Sequence, residues 1–484
     1  MKELTLNHLE RAAQALVRDG QYEIANDFYE LALQHDANNP TLLLQSSGVL
    51  RLLKRPRDAE WAARWALESG ETTERLIAFS ATLRDQKKSE QAVRVLRRAL
   101  ELDPDSSDAK GYLAASLNEL WLAPDGDDAL LTESLALAEQ AIQVQPNNPN
   151  FHAARHGSLL FQGQPHAVLH YADALVDELD EPPHEFLLAR AFSALKLGDF
   201  RQGMPWLAAC VNRPPDFDRR DIDAIPAWHP GDKPGPVVCW RRDGAGDLFQ
   251  CARYFRLAAE HGAELHVIAA DSQARLIARC PGVAGVLGCG DAKAERLTTI
   301  WDLAAFFTAN ESDIPPAPYL SVDPESIERW GRRLHGIPGL KVGICWRGNP
   351  YLQNERRRSV PVAAMVPLFR MPGISLISLQ KECDDLDPAI HDLGLNYQQG
   401  DWLDTAAVIQ NLDLVISPDT GIAHLAGALG KPCWIALPEP SEWRWLMDRD
   451  DSPWYSSVRL FRQTTRGHWG DVFVRMAEAL RLIV

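Results

Sequence analysis

Three short stretches combine residue types and spacings suited to phosphate and proton chemistry. The first, Arg241-Arg242-Asp243-Gly244-Ala245-Gly246-Asp247, follows an apolar run and opens a helical one, so its glycines permit close backbone approach. Asp247 falls at the helix start, which leaves two readings open: an N-terminal cap, or a carboxylate that takes part in chemistry. The second, Ser417 to Pro432, sets Asp419-Thr420-Gly421 between a strand and a helix. Thr420 and Gly421 then lie at a helix N-terminus, where unpaired amide N–H groups and the helix dipole can hold a diphosphate. His424 lies one turn further on the same side, and the Asp-Thr-Gly before it favours a functional histidine over a packed one. The third, Leu379-Gln380-Lys381, ends a strand with a lysine placed to neutralise phosphate charge.

Other clusters are ambiguous from sequence. Arg356-Arg357-Arg358 adds positive charge near these loops and suits either an anionic ligand or a solvated loop. Trp443, Trp445 and Trp454 suit stacking on a base or sugar, or a core. Asp384-Asp385-Leu386-Asp387 reads as a solvated helix start rather than a cation site.

The elements carrying these loops alternate strand and helix, the pattern of parallel sheets wrapped by helices. Strands are expected at Val237–Trp240, Leu265–Ala270, Lys341–Trp346, Ile374–Gln380, Leu412–Ser417 and Cys433–Leu437. Helices are expected at Leu248–His261, Ser272–Cys280 and Ile422–Leu429. Ligands in such folds sit beyond the carboxyl ends of the strands, which singles out loops 241–247, 347–359, 380–385, 417–424 and 438–449. Prolines at 214, 215, 226, 230, 234 and 236 mark a break before this half.

Ahead of that break the chain repeats at a step of about 34 residues. Units start at Leu6, Pro40, Thr73, Ser107, Pro149 and His184, with extra residues near Trp121–Asp128 in the fourth. The closest-approach position of each second helix carries Ala25, Ala59, Ala92, Ser134, Val168 and Gly203. Seven residues later come Ala32, Ala66, Ala99, Ala141, Leu175 and Cys210. Small residues there let paired helices pack tightly, and Gly20, Gly163 and Gly198 allow the turns between them. Stacked pairs of this kind form a solenoid whose concave surface can hold a peptide or partner domain.

Composition narrows the functional class. A chain of 484 residues is long enough for two or three domains, and its 46% hydrophobic and 24% charged content is ordinary for a folded protein. A net charge of −16 sets it against general nucleic-acid or anionic-membrane binding. Residues 1–15 lack the apolar core of a signal peptide, and no apolar run approaches the ~20 residues of a membrane span. Its eight cysteines include no CxxC pair, and several sit in apolar stretches, so buried reduced thiols in a cytoplasmic protein are expected.

The repeats resemble a tetratricopeptide array. In the second half, Val342-Gly343-Ile344-Cys345-Trp346-Arg347-Gly348-Asn349, Arg358-Ser359, Ser378-Leu379-Gln380-Lys381, the Asp419-to-Pro432 block and Trp443 to Tyr455 join the resemblance. Together they are similar to bacterial tetratricopeptide glycosyltransferase-like proteins, whose catalytic half is similar to the lipopolysaccharide heptosyltransferases and, more distantly, to the O-linked N-acetylglucosamine transferases. Relatives of the latter carry recurrent asparagines along the concave helices, where this chain has Arg11, Gln45, Ala78, Tyr112, Ala154 and Ala189.

The resemblance implies an α-solenoid followed by an α/β GT-B fold with two Rossmann-like domains. The expected division is a solenoid at 1–217, a linker at 218–236, an acceptor-side domain at 237–338 and a nucleotide-sugar domain at 339–484. It further implies an inverting, metal-independent glycosyltransferase without a bound cofactor, using a nucleotide-sugar, UDP-linked by default. Asp247 is carried over as general base. Gly244, Gly246, Arg347, Asn349, Lys381, Asp419, Thr420, Gly421 and His424 are carried over as donor-binding residues. Inverting transfer does require a group that takes the acceptor proton and cations or helix ends that stabilise the departing diphosphate. The expected acceptor is a protein or peptide held by the solenoid, which makes the reaction a protein glycosylation. A saccharide or lipid-linked acceptor, or a non-catalytic scaffold with a nucleotide-binding half, are the alternatives.

Overall fold

Fully buried alanines set the packing of the first helices. In a computed structural model that describes residues 5–123, 126–176, 184–211, 225–240, 244–288, 295–349, 355–381, 386–394 and 401–484, the helices up to residue 211 come in pairs. These are α1 (Leu6–Arg18) with α2 (Tyr22–His35), α3 (Pro40–Leu52) with α4 (Pro56–Glu68), and α5 (Thr73–Asp85) with α6 (Ser89–Leu102). Then follow α7 (Ser107–Trp121) with α8 (Asp128–Val144), α9 (Pro149–Phe161) with α10 (Pro165–Val176), and α11 (His184–Lys196) with α12 (Phe200–Val211). Every expected unit start is the first residue of the odd-numbered helix. Two compact units result, Met1–Gln164 with Leu175–Phe186, and Pro165–Ala174 with Leu187–Val484.

Within the first unit Ala25, Ala59, Ala92 and Ser134 are 0% exposed, as are Ala32, Ala66, Ala99 and Ala141 seven residues on. The left-handed residue after α1 and α9 is a glycine, Gly20 and Gly163, but after α3 and α5 it is Lys54 and Lys87, at φ 58° and 59°. The extra residues of the fourth unit lie between α7 and α8, where Trp121 Nε1 donates to Asp128 Oδ1 at 3.0 Å. Among the described residues no helix is long and apolar enough to cross a membrane.

The second unit holds two all-parallel sheets. Strands β1 (Gly235–Trp240), β2 (Ala263–Ile268), β3 (Val283–Leu287) and β4 (Leu297–Thr299) form one, in the order β3-β2-β1-β4. The other contains β5 (Leu340–Ile344), β6 (Ile374–Ser378), β7 (Ile390–His391), β8 (Leu414–Pro418), β9 (Cys433–Leu437) and β10 (Val458–Arg462). Its order is β10-β9-β8-β5-β6-β7. Strand order reverses at β1/β4 and at β5/β8, and parallel sheets open a crevice at such points. The helix that follows β1 carries Asp247 in its first turn, and the loops after β5 and β8 carry Arg347 and Asp419.

Helices α13 (Ala245–Cys251), α14 (Phe255–Glu260), α15 (Asp271–Ile277), α16 (Ile300–Phe307) and α17 (Pro324–Leu334) accompany the first sheet. The second is accompanied by α18 (Glu355–Arg358), α19 (Val366–Phe369), α20 (Trp402–Gln410), α21 (Gly421–Ala428) and α22 (Gly470–Leu480). The helix expected over Leu248–His261 starts earlier, at Ala245, and is broken between α13 and α14. At the break Arg253, 3% exposed, turns its Nε onto the Gln250 carbonyl at 2.8 Å.

Residues 212–224, the end of the expected solenoid and the first part of the linker expected at 218–236, lie outside the described residues, and the rest of that linker packs on the first sheet. Trp228 is 1% exposed, its N–H donates to Leu297 O at 2.7 Å, and Leu297 N donates back to Pro226 O at 3.0 Å. Proline content signalled a break but not this pairing, because the signal ignores the buried tryptophan. Cys210, Cys239, Cys251, Cys280, Cys345 and Cys433 are buried; Cys289 and Cys383 lie outside the described residues.

Candidate functional site

Two helix N-termini, one from each sheet, meet at the candidate site. Gly246 in the first turn of α13 and Gly421 at the start of α21 lie in backbone contact, each with a ring beside it that a side chain would crowd. A Cβ on Gly246 would lie 2.9 Å from His424 Cδ2 and 3.6 Å from Gly421 Cα. One on Gly421 would lie 3.1 Å from the Trp402 ring and 3.7 Å from Gly246 N. Here the glycines serve close approach rather than unusual backbone angles.

Asp247 is not the N-cap of α13, a place taken by Gly244, but the third residue of the helix, where it is both the carboxylate of a capping box and a charged partner. Its Oδ2 accepts from Gly244 N–H at 3.0 Å, which explains the early start of α13. Its Oδ1 accepts from the Arg444 guanidinium. The side chain keeps 24% of its surface exposed. A carboxylate offers about four lone-pair sites, so the two bonds orient it without filling it.

Arg444 is the residue that the motif reading passed over. Its guanidinium is buried, donates from Nε to Gln250 Oε1 at 2.6 Å, and pairs with both Glu442 and Asp247. Burial works against its charge, but Glu442, Asp247 and Asp419 outweigh that and raise its pKa above the usual value. The available signal was an arginine inside the aromatic run Trp443-Arg444-Trp445, since a charge buried among rings must be paired. Trp443, Trp445 and Trp454 are core, at 3%, 0% and 2% exposure.

The strand–helix turn after β8 is buried. Asp419, Thr420 and His424 are 4%, 7% and 4% exposed. Thr420 Oγ1 and Ser417 Oγ share a hydrogen bond of 2.9 Å. His424 Nδ1 lies 2.9 Å from the Tyr455 hydroxyl, its Nε2 lies 3.5 Å from Asp419 Oδ1, and its ring stacks on Trp445. Burial pushes the Asp419 carboxyl up, yet the His424 bond and the charges of Arg358, His424 and Arg444 hold it well below the usual carboxylate range. An ionised aspartate thus fixes the imidazole from one side and a phenol from the other.

Arg347, Asn349 and Lys381 stand on neighbouring strand ends, exposed at the surface. Strand β5 pairs with both β6 and β8, with Ile344 opposite Ser378 and Ile416. Gln380, which the sequence places in the third motif without a role, ties the two loops together. Its Oε1 accepts from Trp346 N at 3.1 Å and Arg347 N at 3.0 Å, while its Nε2 donates to Lys381 O at 2.9 Å. The structure thus brings Gly246, Asp247, Asp419, Thr420, Gly421 and His424 into one cluster, with Arg347 and Lys381 on the adjoining loops.

Arg241 to Asp243, Asp384 and Asp385 lie outside the described residues, as does the Arg356 side chain. Asp387 Oδ1 accepts from Ala389 N at 2.8 Å, the bond of a turn start. Among the described residues no group of three or more His, Cys, Asp or Glu is placed to hold a metal ion.

Residues 402–444 match the sequence model of glycosyltransferase family 9 (heptosyltransferase), a span that runs from α20 through α21 to Arg444. Residues 76–106 match the tetratricopeptide repeat. Protein FlbA of Caulobacter vibrioides is 31% identical over 173 residues, which cover 34% of this chain and 29% of that protein. The match thus spans under a third of that relative's length. A tetratricopeptide repeat protein from Parabacteroides merdae is 16% identical, with 46% of this chain and 83% of that one covered at a TM-score of 0.38. A tetratricopeptide protein of Thermus thermophilus is 18% identical, with 40% and 100% covered at a TM-score of 0.34. The chain therefore joins tetratricopeptide repeats to a C-terminal segment of the glycosyltransferase family 9 (heptosyltransferase) type.

Proposed function

We propose that the chain is an inverting, metal-independent glycosyltransferase of GT-B architecture that moves a sugar from a nucleotide-sugar to a protein acceptor recognised by the repeats. The single observation that carries this reading is where the family match falls. Residues 402–444 include the buried Asp419-Thr420-Gly421-His424 turn and end on Arg444, the partner of Asp247. In this reading the N-terminus of α21 and the cations Arg347 and Lys381 receive the departing diphosphate, which needs stabilisation of developing negative charge. Gly244, Gly246 and Asn349 line the donor's path. Asp247, oriented by Gly244 and Arg444, takes the acceptor proton as the new glycosidic bond forms on the face opposite the leaving group. The donor nucleotide is taken as UDP, and the protein as cytoplasmic.

A thermal-shift screen against nucleoside diphosphates and UDP-sugars tests the donor half, because a ligand that binds only the native state raises the melting temperature. The expected result is a selective rise that Lys381→Ala removes. No rise with any nucleotide argues against the reading. A sugar transferred to a saccharide or lipid-linked acceptor, with none to protein, replaces the acceptor assignment alone.

One observation favours a second reading, a non-catalytic scaffold: both Asp247 oxygens already serve structural partners. Asp247→Asn separates the two. If it folds and binds nucleotide while sugar transfer disappears, the scaffold reading is excluded; unchanged transfer removes Asp247 as base.

A further inference from the structure

Lys196, at the end of α11, is a buried lysine with a fixed set of acceptors. Its Nζ donates to Ser441 O at 2.8 Å, to Ser441 Oγ at 2.7 Å and to Glu442 O at 3.2 Å. Three acceptors match the three protons of an ammonium group. One turn earlier on the same helix Phe192 stacks on Trp443, with centroids 6.4 Å apart and planes 16° from parallel. Helix α11 therefore grips residues 441–443 at two points. That segment delivers Arg444 to Asp247 and Gln250, and its own Glu442 carboxylate holds the same guanidinium.

We propose that Lys196 is a positioning residue: through Ser441 and Glu442 it sets where Arg444 meets Asp247, and so ties helix α11 to the candidate site. The chain of contacts is short. Two of the Lys196 acceptors are the carbonyls of residues 441 and 442, and Arg444 follows two residues on. The geometry stands apart from the transferase reading; only its effect on turnover rests on that reading.

The charges around Lys196 give the contact a pH dependence. Arg462 on β10 faces it and also donates to Ser441 Oγ at 2.7 Å; Glu439 and Glu442 after β9 and Asp419 after β8 face it with opposite sign. Burial pushes the Lys196 amine down to about 7, Arg462 adds to the fall, and the three carboxylates oppose it. The docked amine therefore holds its proton less firmly than in water, and docking tightens as pH rises from about 7 toward the ordinary lysine value of 10.5. A neutral amine still donates two N–H bonds and can accept from the Ser441 hydroxyl.

Hydrogen–deuterium exchange on the full chain, corrected for intrinsic rate, tests the proposal. In Lys196→Met the amides of 438–449 should exchange at least about ten-fold faster, with 244–251 following and Gly470–Leu480 unchanged. Wild-type protection of 438–449 should grow from pH 6.5 to 8.5, and neither Lys196→Met nor Lys196→Arg should retain that trend. Wild-type exchange of 438–449 in Lys196→Met, or an increase spread evenly over the protein, would overturn the proposal. Should Lys196→Met fail to fold, Ser441→Ala removes one acceptor; loosening confined to the same segments supports the proposal and no loosening overturns it. Local loosening in a protein that transfers no sugar sinks the transferase reading and leaves this one standing.

Discussion

The two compact units are held together in different ways. In the first, side-chain bonds reach one unit along the chain: Gln45 to Glu10, Arg51 to Asp85, Arg84 to Glu119 and Arg97 to Glu133. In the second they span far more of it: Arg444 to Asp247 and Gln250, Arg253 to Trp454, and Lys196 to Ser441. Nearest-neighbour stacking makes stability a sum of local terms, whereas the second arrangement concentrates it in a few buried long-range contacts. A single change should therefore be local in the first unit and far-reaching in the second.

Arg444→Met should break the second unit hardest. It strands the Asp247 and Glu442 carboxylates beside an apolar side chain, and removing one partner of a buried pair costs about 3–5 kcal/mol. Urea unfolding should show the lost stability, and a loss below about 1 kcal/mol would mean that the pairs are solvated.

Gly246→Ala should follow, at about 1–3 kcal/mol, because the added methyl would lie 2.9 Å from the buried His424 ring and must displace it. The same variant should abolish any thermal shift given by a nucleotide. An unchanged shift would separate the helix contact from ligand binding.

The third effect lies in pH. The folded Lys196 amine titrates at about 7, below its unfolded value, so between about pH 7 and 10.5 the unfolded state binds more protons. Stability should therefore rise with pH across that window, by at most about 1.4 kcal/mol per pH unit from this group. Lys196→Met should flatten the slope of unfolding free energy against pH, and a slope equal to wild type would contradict the assignment.

Arg51→Ala should do least. Its pair with Asp85 leaves over a third of both side chains exposed, which limits the loss to about 1 kcal/mol or less. Exchange should change only in neighbouring helices of the first unit. Changes reaching residues 244–251 would break the distinction between the units.

The same difference decides what could be read from sequence. The repeat starts were legible because each small residue recurs at a step where helix pairs must close, so Ala25, Ala59 and Ala92 report on one another. The strands β1, β2, β5, β6, β8 and β9 were legible as short apolar runs. Strands β3 and β10 interrupt their apolar residues with Gly285 or with Arg459 and Arg462, while β4 and β7 have only three and two residues, and pattern alone did not find them. At the site, Thr420, Gly421 and His424 followed from a helix start after a strand. Arg444 and Gln380 did not, since their importance arises from partners that only tertiary contact supplies.

The reach of Lys196 also has a consequence in time. Helices α11 and α12 belong to the same apolar core as β1, β9 and β10, and Phe200 meets the Trp454 ring edge-on at 5.7 Å. Ser441 is made 245 residues after Lys196. At synthesis rates of about 5–20 residues per second, the faces of Phe192 and Phe200 wait on the order of 10–50 s for the segment that covers them. During that interval the part of these two rings' surface that Trp443 and Trp454 cover in the finished protein stays open to other apolar surfaces.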